Sequence, residues 1–264
     1  MPSGASGQAR AQPPVLFLTG VGLTAAVALR PMASARPRFD VLEPRYGDTR
    51  VPSVENALAS LDAVGAQRAH VVGLSAGAIT AQEFAIRHSD RVCALVLGST
   101  TAGGELYAPP EPAVRDLVYR LDELPAEEGL WASVPYLYGA RTCRRQAPLI
   151  GEDIAQRLRR PLDPADYQRQ RAVARAHDTA ARLNEITAPT LVVHGEEDRI
   201  LPLQNGRRLA DGIAGARFLP LPEAAHAFPT DAPSASRELV SFLVAHSPRR
   251  RGPARKPAGR ATRA

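Results

Sequence analysis

Residues 69–88 read AHVVGLSAGAITAQEFAIRH, and this stretch decides the fold. Its first part, Ala69–Leu74, is apolar throughout, which predicts a strand buried on both faces. From Ala76 to His88 the chain places Ile79, Phe84 and Ala85 on one side, which predicts a helix. Between the two, Gly73-Leu74-Ser75-Ala76-Gly77 leaves no length for a loop. A chain that turns from strand to helix so abruptly forces the residue at the bend into strained dihedrals and pushes its side chain out over the sheet. Crowding there demands small neighbours, and Gly73, Ala76 and Gly77 are small. The bend also sets the Ala76 N–H at a helix N-terminus, where it can stabilise an oxyanion. The plainer role open to Ser75 is a helix N-cap.

Outward from this stretch the pattern repeats. Val15–Thr19 predicts a strand ending at Gly20-Val21-Gly22, and Phe39–Leu42 a second strand halted by Pro44. Val54–Val64 has apolar residues at helical spacing, with Ser53 as N-cap and Gly65 where the helix stops. Arg91–Leu97, Thr190–His194 and Ala216–Leu221 read as the fourth, fifth and sixth strands, and helices are expected at Gln204–Gly212 and Ser234–His246. Apolar strands alternating with helices imply an α/β fold with a parallel sheet covered on both faces. Ligands in such sheets sit at the carboxyl ends of the strands.

One stretch breaks the alternation. Residues 100–188 carry no strand pattern and are far longer than a crossover needs. Helical spacing recurs at Val114–Leu121, Ile154–Leu158 and Tyr167–Leu183. The segment holds the single tryptophan, Trp131, and tyrosines that include Tyr107, Tyr136 and Tyr138. It leaves from a strand's carboxyl end, so it is expected to form a helical cap, with Trp131, Tyr136 and Tyr138 against the substrate. The expected organisation is a flexible start (1–14), a core (15–99 and 189–247), the cap (100–188) and a basic disordered tail (248–264).

Composition excludes several classes. Of 264 residues 44% are hydrophobic and 23% charged, as in an ordinary globular domain. No apolar run reaches the roughly 18 residues of a membrane helix. No export signal is legible at the start. Two cysteines, Cys93 and Cys143, build no disulfide framework and no zinc site. Cys93 reads as core packing. Cys143 lies among Arg141, Arg144 and Arg145, which could lower its pKa, although an ordinary thiol is the simpler expectation. Reduced thiols point to the cytoplasm. The seven basic residues from Arg249 to Arg263 exceed the whole net charge of +6, so the folded part is close to neutral. Nucleic acid and membrane are therefore not expected as partners, and the tail reads as a solvated end. No metal and no cofactor are implied. The oligomeric state is open, a homodimer included.

The Gly73–Gly77 bend resembles the nucleophile elbow of the α/β-hydrolase superfamily, in which the order is nucleophile, acid, histidine. The resemblance runs over roughly Val15–Ser247. The family's Gly-x-x-Asp run after the strand that follows the cap matches Gly195-Glu196-Glu197-Asp198, which makes Asp198 the candidate acid, with Glu196 and Glu197 as neighbouring rivals. The family histidine follows the last strand, as His226 does here. His70, His88, His194 and His246 are poorer candidates, and His177 stands in the cap beside Asp178. By the same resemblance Thr19-Gly20-Val21-Gly22 implies a second oxyanion donor at the Val21 N–H. Thr19 departs from the histidine usual there, and Arg45-Tyr46-Gly47 keeps only a remnant of another family segment. Only 14 residues precede the first strand, so the antiparallel hairpin that opens this fold is expected to be missing, leaving about six parallel strands.

The resemblance implies that Ser75, Asp198 and His226 form a triad. A serine rather than an aspartate at the elbow favours hydrolysis of an ester, lactone or thioester with a small to medium hydrophobic acyl group, as in small esterases and enol-lactonases. Two alternatives stay open. One is a cyclase, eliminating lyase or perhydrolase using the same trio. The other is a non-catalytic ligand receptor, against which a complete trio speaks.

Overall fold

The computed structural model describes residues 12–20, 38–44, 53–159 and 163–248. The Val21 and Gly22 positions, the Arg45–Gly47 remnant, most of the expected flexible start and the basic tail lie outside them.

Six strands form one sheet: β1 (Val15–Leu18), β2 (Val41–Leu42), β3 (Ala69–Leu74), β4 (Val92–Gly98), β5 (Thr190–Gly195) and β6 (Arg217–Leu221). Their spatial order is β2-β1-β3-β4-β5-β6, and every adjacent pair is parallel. This meets the expectation of a six-stranded parallel sheet of the α/β-hydrolase type. Leu18, Gly73, Leu97 and Val192 stand in register across four strands. The chain runs from β1 out to the β2 edge and then returns past β1 to β3. That reversal opens a crevice at the strands' carboxyl ends, where Ser75 follows β3.

The described helices are α1 (Val54–Ala63), α2 (Ala76–Arg87), α3 (Pro112–Arg120), α4 (Ala126–Leu137), α5 (Ala140–Arg145), α6 (Ala147–Leu158), α7 (Pro164–Ala176), α8 (Leu203–Gly212), α9 (Phe228–Asp231) and α10 (Ala235–Ala245). Ser53 caps α1 as expected, its Oγ accepting the Asn56 N–H at 3.1 Å. Side chains alternate between the sheet's two faces, and both faces are buried. Leu16, Leu18, Val71, Leu95, Leu97 and Val192 pack with Leu61 of α1, Phe84 of α2 and Leu209 of α8. Val15, Phe17, Val72, Val96 and Val193 pack with Phe228 of α9 and with Leu239 and Leu243 of α10. Each such fully buried side chain stabilises the fold by about 1.5–3 kcal/mol. Among the described residues no helix is long and apolar enough to cross a membrane.

Helices α3 to α7 fill the stretch between β4 and β5. The helix expected over Tyr167–Leu183 ends earlier, at Ala176. Beyond it Asp178 forms an antiparallel bridge with Gly103, which draws the chain out of helical geometry and back to where the insertion began. The Thr179 N–H donates to the Ala102 carbonyl at 2.8 Å and completes this closure.

His70 is enclosed within β3, with Nε2 3.0 Å from Ser247 Oγ and the ring edge-on to Phe39. Burial, then the charges of His246 and Arg68, lower its pKa from 6.5 to about 4. The unfolded chain takes up a proton near pH 6.5 and the folded one only near 4. The stabilisation is therefore complete above about pH 6.5 and declines as pH falls, being gone below about 4, a change on the order of 3 kcal/mol. Urea midpoints measured at pH 7 and pH 4.5 should diverge less in His70→Gln than in the wild type. Equal divergence would show that His70 is not the group responsible.

Candidate active site

Ser75 adopts φ +52° and ψ −121°, a region that L-residues rarely occupy. Such a conformation costs about 1–3 kcal/mol and persists only where its surroundings hold it. The Ser75 N–H donates to the Gly98 carbonyl at 2.8 Å, and Thr100 Oγ1 donates to the Ser75 carbonyl at 3.1 Å. The neighbouring glycines explain why the bend closes so tightly. A Cβ on Gly73 would lie 2.5 Å from Ala78 Cα, and one on Gly77 would lie 2.2 Å from the Leu18 carbonyl oxygen. Three elements, β1, β3 and α2, thus meet around the serine. Ala76 opens α2, so its N–H belongs to the unmatched donors at the positive end of that helix.

The loop between β6 and α9 brings His226 over the serine. Its Nε2 lies 3.0 Å from Ser75 Oγ and its Nδ1 2.8 Å from Asp198 Oδ2. Asp198 follows β5 and is buried. Its Oδ1 accepts the N–H groups of Ile200 and Leu201 at 3.0 and 2.9 Å. Burial by itself raises the carboxyl pKa, but the charge of His226 and hydrogen bonds from His194 and His226 outweigh it and hold the group well below the ordinary carboxylate range. Asp198 is therefore an anion under all ordinary conditions. Of its two rivals, Glu196 is exposed and Glu197 turns to the cap, where its Oε2 accepts the Ala140 N–H at 2.7 Å.

A second histidine, His194, one of the poorer candidates for the base, supports the acid. His194, at the end of β5, is fully buried with Nε2 2.7 Å from the Leu201 carbonyl and 3.3 Å from Asp198 Oδ2. A carbonyl can only accept, so Nε2 carries the proton and points it between the two oxygens. The ring is wedged against α8, where a Cβ on Gly206 would come within 2.4 Å of Nδ1. That contact accounts for a glycine inside a helix, a position that otherwise costs about 1 kcal/mol. A histidine four residues before the candidate acid was the available signal.

A cavity of about 1210 Å³ lies between Ser75 and the cap. Of the three aromatic residues expected at the substrate, the structure brings only Tyr136 to this cavity. Trp131 is 49% exposed and does not line it. Helix α4 turns Leu130, Ser133 and Leu137 inward, and Trp131 falls on the outer side. Tyr138 is buried but faces elsewhere, its hydroxyl donating to Asp153 Oδ2 at 3.2 Å. Cys143 also departs from the arginine-based expectation, because burial and the charge of Asp231 push its thiol up.

The cap is fastened to the loops that carry the acid and the histidine. The Ala227 N–H donates to the Leu137 carbonyl at 2.7 Å. Asp231 Oδ2 accepts from both the Gly139 and the Ala225 N–H, at 3.0 and 2.8 Å. Arg141 pairs with Glu223 at 2.8 Å. The junction of α4 and α5 therefore rests directly on the segments bearing Asp198 and His226.

A strand-to-helix serine, a doubly wound parallel sheet and an inserted helical cap define an α/β-hydrolase architecture, and the chain belongs to the α/β-hydrolase fold family, which it matches over residues 34–233. Among its relatives, the 2-hydroxy-6-oxo-6-phenylhexa-2,4-dienoate hydrolase of Comamonas testosteroni is 34% identical over 160 residues, 60% of this chain and 56% of that protein. A Variovorax paradoxus (strain S110) protein, named for a proposed carbamate hydrolase activity, is 30% identical over 185 residues, 70% of this chain and 69% of its own length. The solved enol-lactonase from Burkholderia xenovorans LB400 superposes with a TM-score of 0.75 at 22% identity, covering 88% of this chain and 92% of that one, which shows a shared fold. The match spans little more than half the length of the Comamonas relative.

Proposed function

We propose that the chain is a serine hydrolase that cleaves an ester, lactone or thioester of a small to medium hydrophobic acyl substrate. The observation that carries this reading is the unbroken line from Ser75 Oγ through His226 to Asp198, with contacts of 3.0 and 2.8 Å, opening into the cavity. A serine hydroxyl at neutral pH is a weak nucleophile and needs a base within hydrogen-bond reach. As Ser75 Oγ bonds to the acyl carbon, its proton passes to His226 Nε2. Asp198 holds the ring so that Nε2 is the free acceptor and stabilises the cation that forms. The carbonyl electrons move onto oxygen, where the Ala76 N–H meets the new charge. A donor in this role is typically worth about 3–4 kcal/mol of barrier. Collapse expels the alcohol, which takes the proton from Nε2. Water then repeats the sequence on the acyl-serine and releases the acid.

The Comamonas relative's name gives a second reading, since its substrate is an oxo acid rather than an ester. The same groups then hydrolyse a carbon–carbon bond beside a ketone. Two assays decide between these readings. A fluorophosphonate probe should label the wild type and leave Ser75→Ala unlabelled. Turnover of p-nitrophenyl acyl esters supports the ester reading. Labelling with turnover only of oxo-dienoates transfers the site to carbon–carbon hydrolysis, and no labelling overturns both.

His194 acts in this scheme by holding Asp198. His194→Leu, which removes the donor, should lower kcat by about 10- to 100-fold with little change in KM. His194→Gln keeps an N–H and should recover part of the loss. A change confined to KM would contradict a positioning role.

A further inference from the structure

Ser99 follows β4 and is flanked by the two residues that hold the backbone of Ser75. The Gly98 carbonyl accepts the Ser75 N–H at 2.8 Å, and Thr100 Oγ1 donates to the Ser75 carbonyl at 3.1 Å. The Ser99 N–H donates in turn to the Val193 carbonyl of β5 at 2.9 Å. Ser99 therefore stands between the strand that ends at Ser75 and the strand that leads to Asp198, and it lines the cavity together with Ser75 and His226. Two of its features have no explanation in packing. Its φ is +45°, so a residue with a Cβ occupies a region that favours glycine. Its side chain is enclosed, with the residue only 2% exposed, and among the described residues its Oγ has no hydrogen-bond partner. An enclosed hydroxyl without a partner is costly. Glycine would remove the strain and the orphaned hydroxyl together. Strained residues that keep their side chains cluster where a site uses them.

The position of Ser99 fixes what its hydroxyl can meet. Strands β4, β5 and β6 all lie on one side of β3, and from that side Asp198 and His226 reach Ser75. The water that cleaves an acyl-serine must lie against His226 Nε2, because it gives a proton to that atom. We propose that Ser99 Oγ holds this water for attack. The water oxygen bonds to the acyl carbon, and the carbonyl electrons move onto their oxygen. One water proton passes to His226 Nε2. The other stays on the water oxygen and donates to Ser99 Oγ. Collapse breaks the bond to Ser75 Oγ, which takes the proton from Nε2, and the carboxylic acid leaves with the remaining proton. Two acceptors thus orient one water, as an ordered water requires. The proposal rests on the serine-hydrolase reading and deepens it.

Methanol provides the test, because its single hydroxyl proton goes to His226 and leaves none for Ser99. The full chain is given p-nitrophenyl butyrate in buffer containing a fixed share of methanol, and butyric acid and methyl butyrate are measured. Their ratio reports only the fate of the acyl-serine, whichever step limits turnover. Ser99→Ala should lower the acid-to-ester ratio about 5- to 10-fold, the worth of one ordinary hydrogen bond. Ser99→Gly also removes the hydroxyl but releases the strain at φ +45°, so it should give the same ratio, and it serves if the alanine variant does not fold. A residue that only supports the fold would slow hydrolysis and methanolysis alike. A ratio unchanged in both variants therefore overturns the proposal, however slow the variants are, and leaves the hydrolase reading standing. Wild-type protein that forms neither product overturns the hydrolase reading and this proposal with it.

Discussion

Ser75→Ala should lower kcat by roughly 10³- to 10⁶-fold on any ester that the wild type turns over. The size of the effect follows from how the residues act. In the proposed mechanism the hydroxyl forms the acyl bond, and it lies 3.0 Å from His226 Nε2. His226→Ala should cost as much, because a nucleophile without its base is nearly as inert as no nucleophile. Asp198→Asn should retain more activity, since the serine and histidine still meet. Ser75→Ala keeps a Cβ at φ +52°, so it neither relieves nor adds strain, and its thermal midpoint should stay close to that of the wild type. A Ser75→Ala protein that kept a tenth of wild-type kcat, once contaminating esterase was excluded, would end the account of this site.

A large loss of stability is expected from a single methyl group at Gly77. It would stand 2.2 Å from the Leu18 carbonyl oxygen, backbone against backbone, where no rotamer change can give way. Either β1 or the start of α2 must move, and both carry the buried core. Gly77→Ala should cost about 3 kcal/mol or more and lower Tm by roughly 6–12 °C. Activity should fall with it, since the Ala76 N–H and Ser75 ride on the same turn. Gly151 on α6 supplies the control, because a Cβ there meets nothing within 4 Å. Gly151→Ala should be neutral or stabilise the helix by up to about 1 kcal/mol. A Gly77→Ala midpoint within 2 °C of the wild type would show that the close contact relaxes without cost.

The middle of the sheet was legible because its central strands obey one rule. Val15–Leu18, Ala69–Leu74 and Val92–Gly98 are buried on both faces, so they read as unbroken apolar runs. Ser75 stands out at the abrupt bend after such a run, the resemblance to the family points to Asp198 and His226, and the structure brings the three side chains together. The cap obeys no such rule. The buried positions of α4 are Gly129, Ser133 and Leu137, and those of α7 are Asp166, Gln170 and Arg171. Faces built from glycine, serine and charged residues show no hydrophobic period, so α4 was missed and the expectation fell on the conspicuous Trp131. The inward residues of α4 and α7, among them Gly129, Ser133, Asp166 and Arg171, line the cavity. Patterning rules calibrated on cores cannot find such a face.

The fastening of α4 and α5 onto the β5 and β6 loops bears on how such a protein can be remade. The Leu137 carbonyl and the Gly139 and Ala140 N–H groups are backbone supports for the residues flanking His226 and Asp198. An insertion grafted from elsewhere would therefore disturb the placement of Asp198 and His226 beneath it unless it carried an equivalent of this junction. Any library made by exchanging whole insertions should be screened first for the alignment of Asp198 and His226 with Ser75.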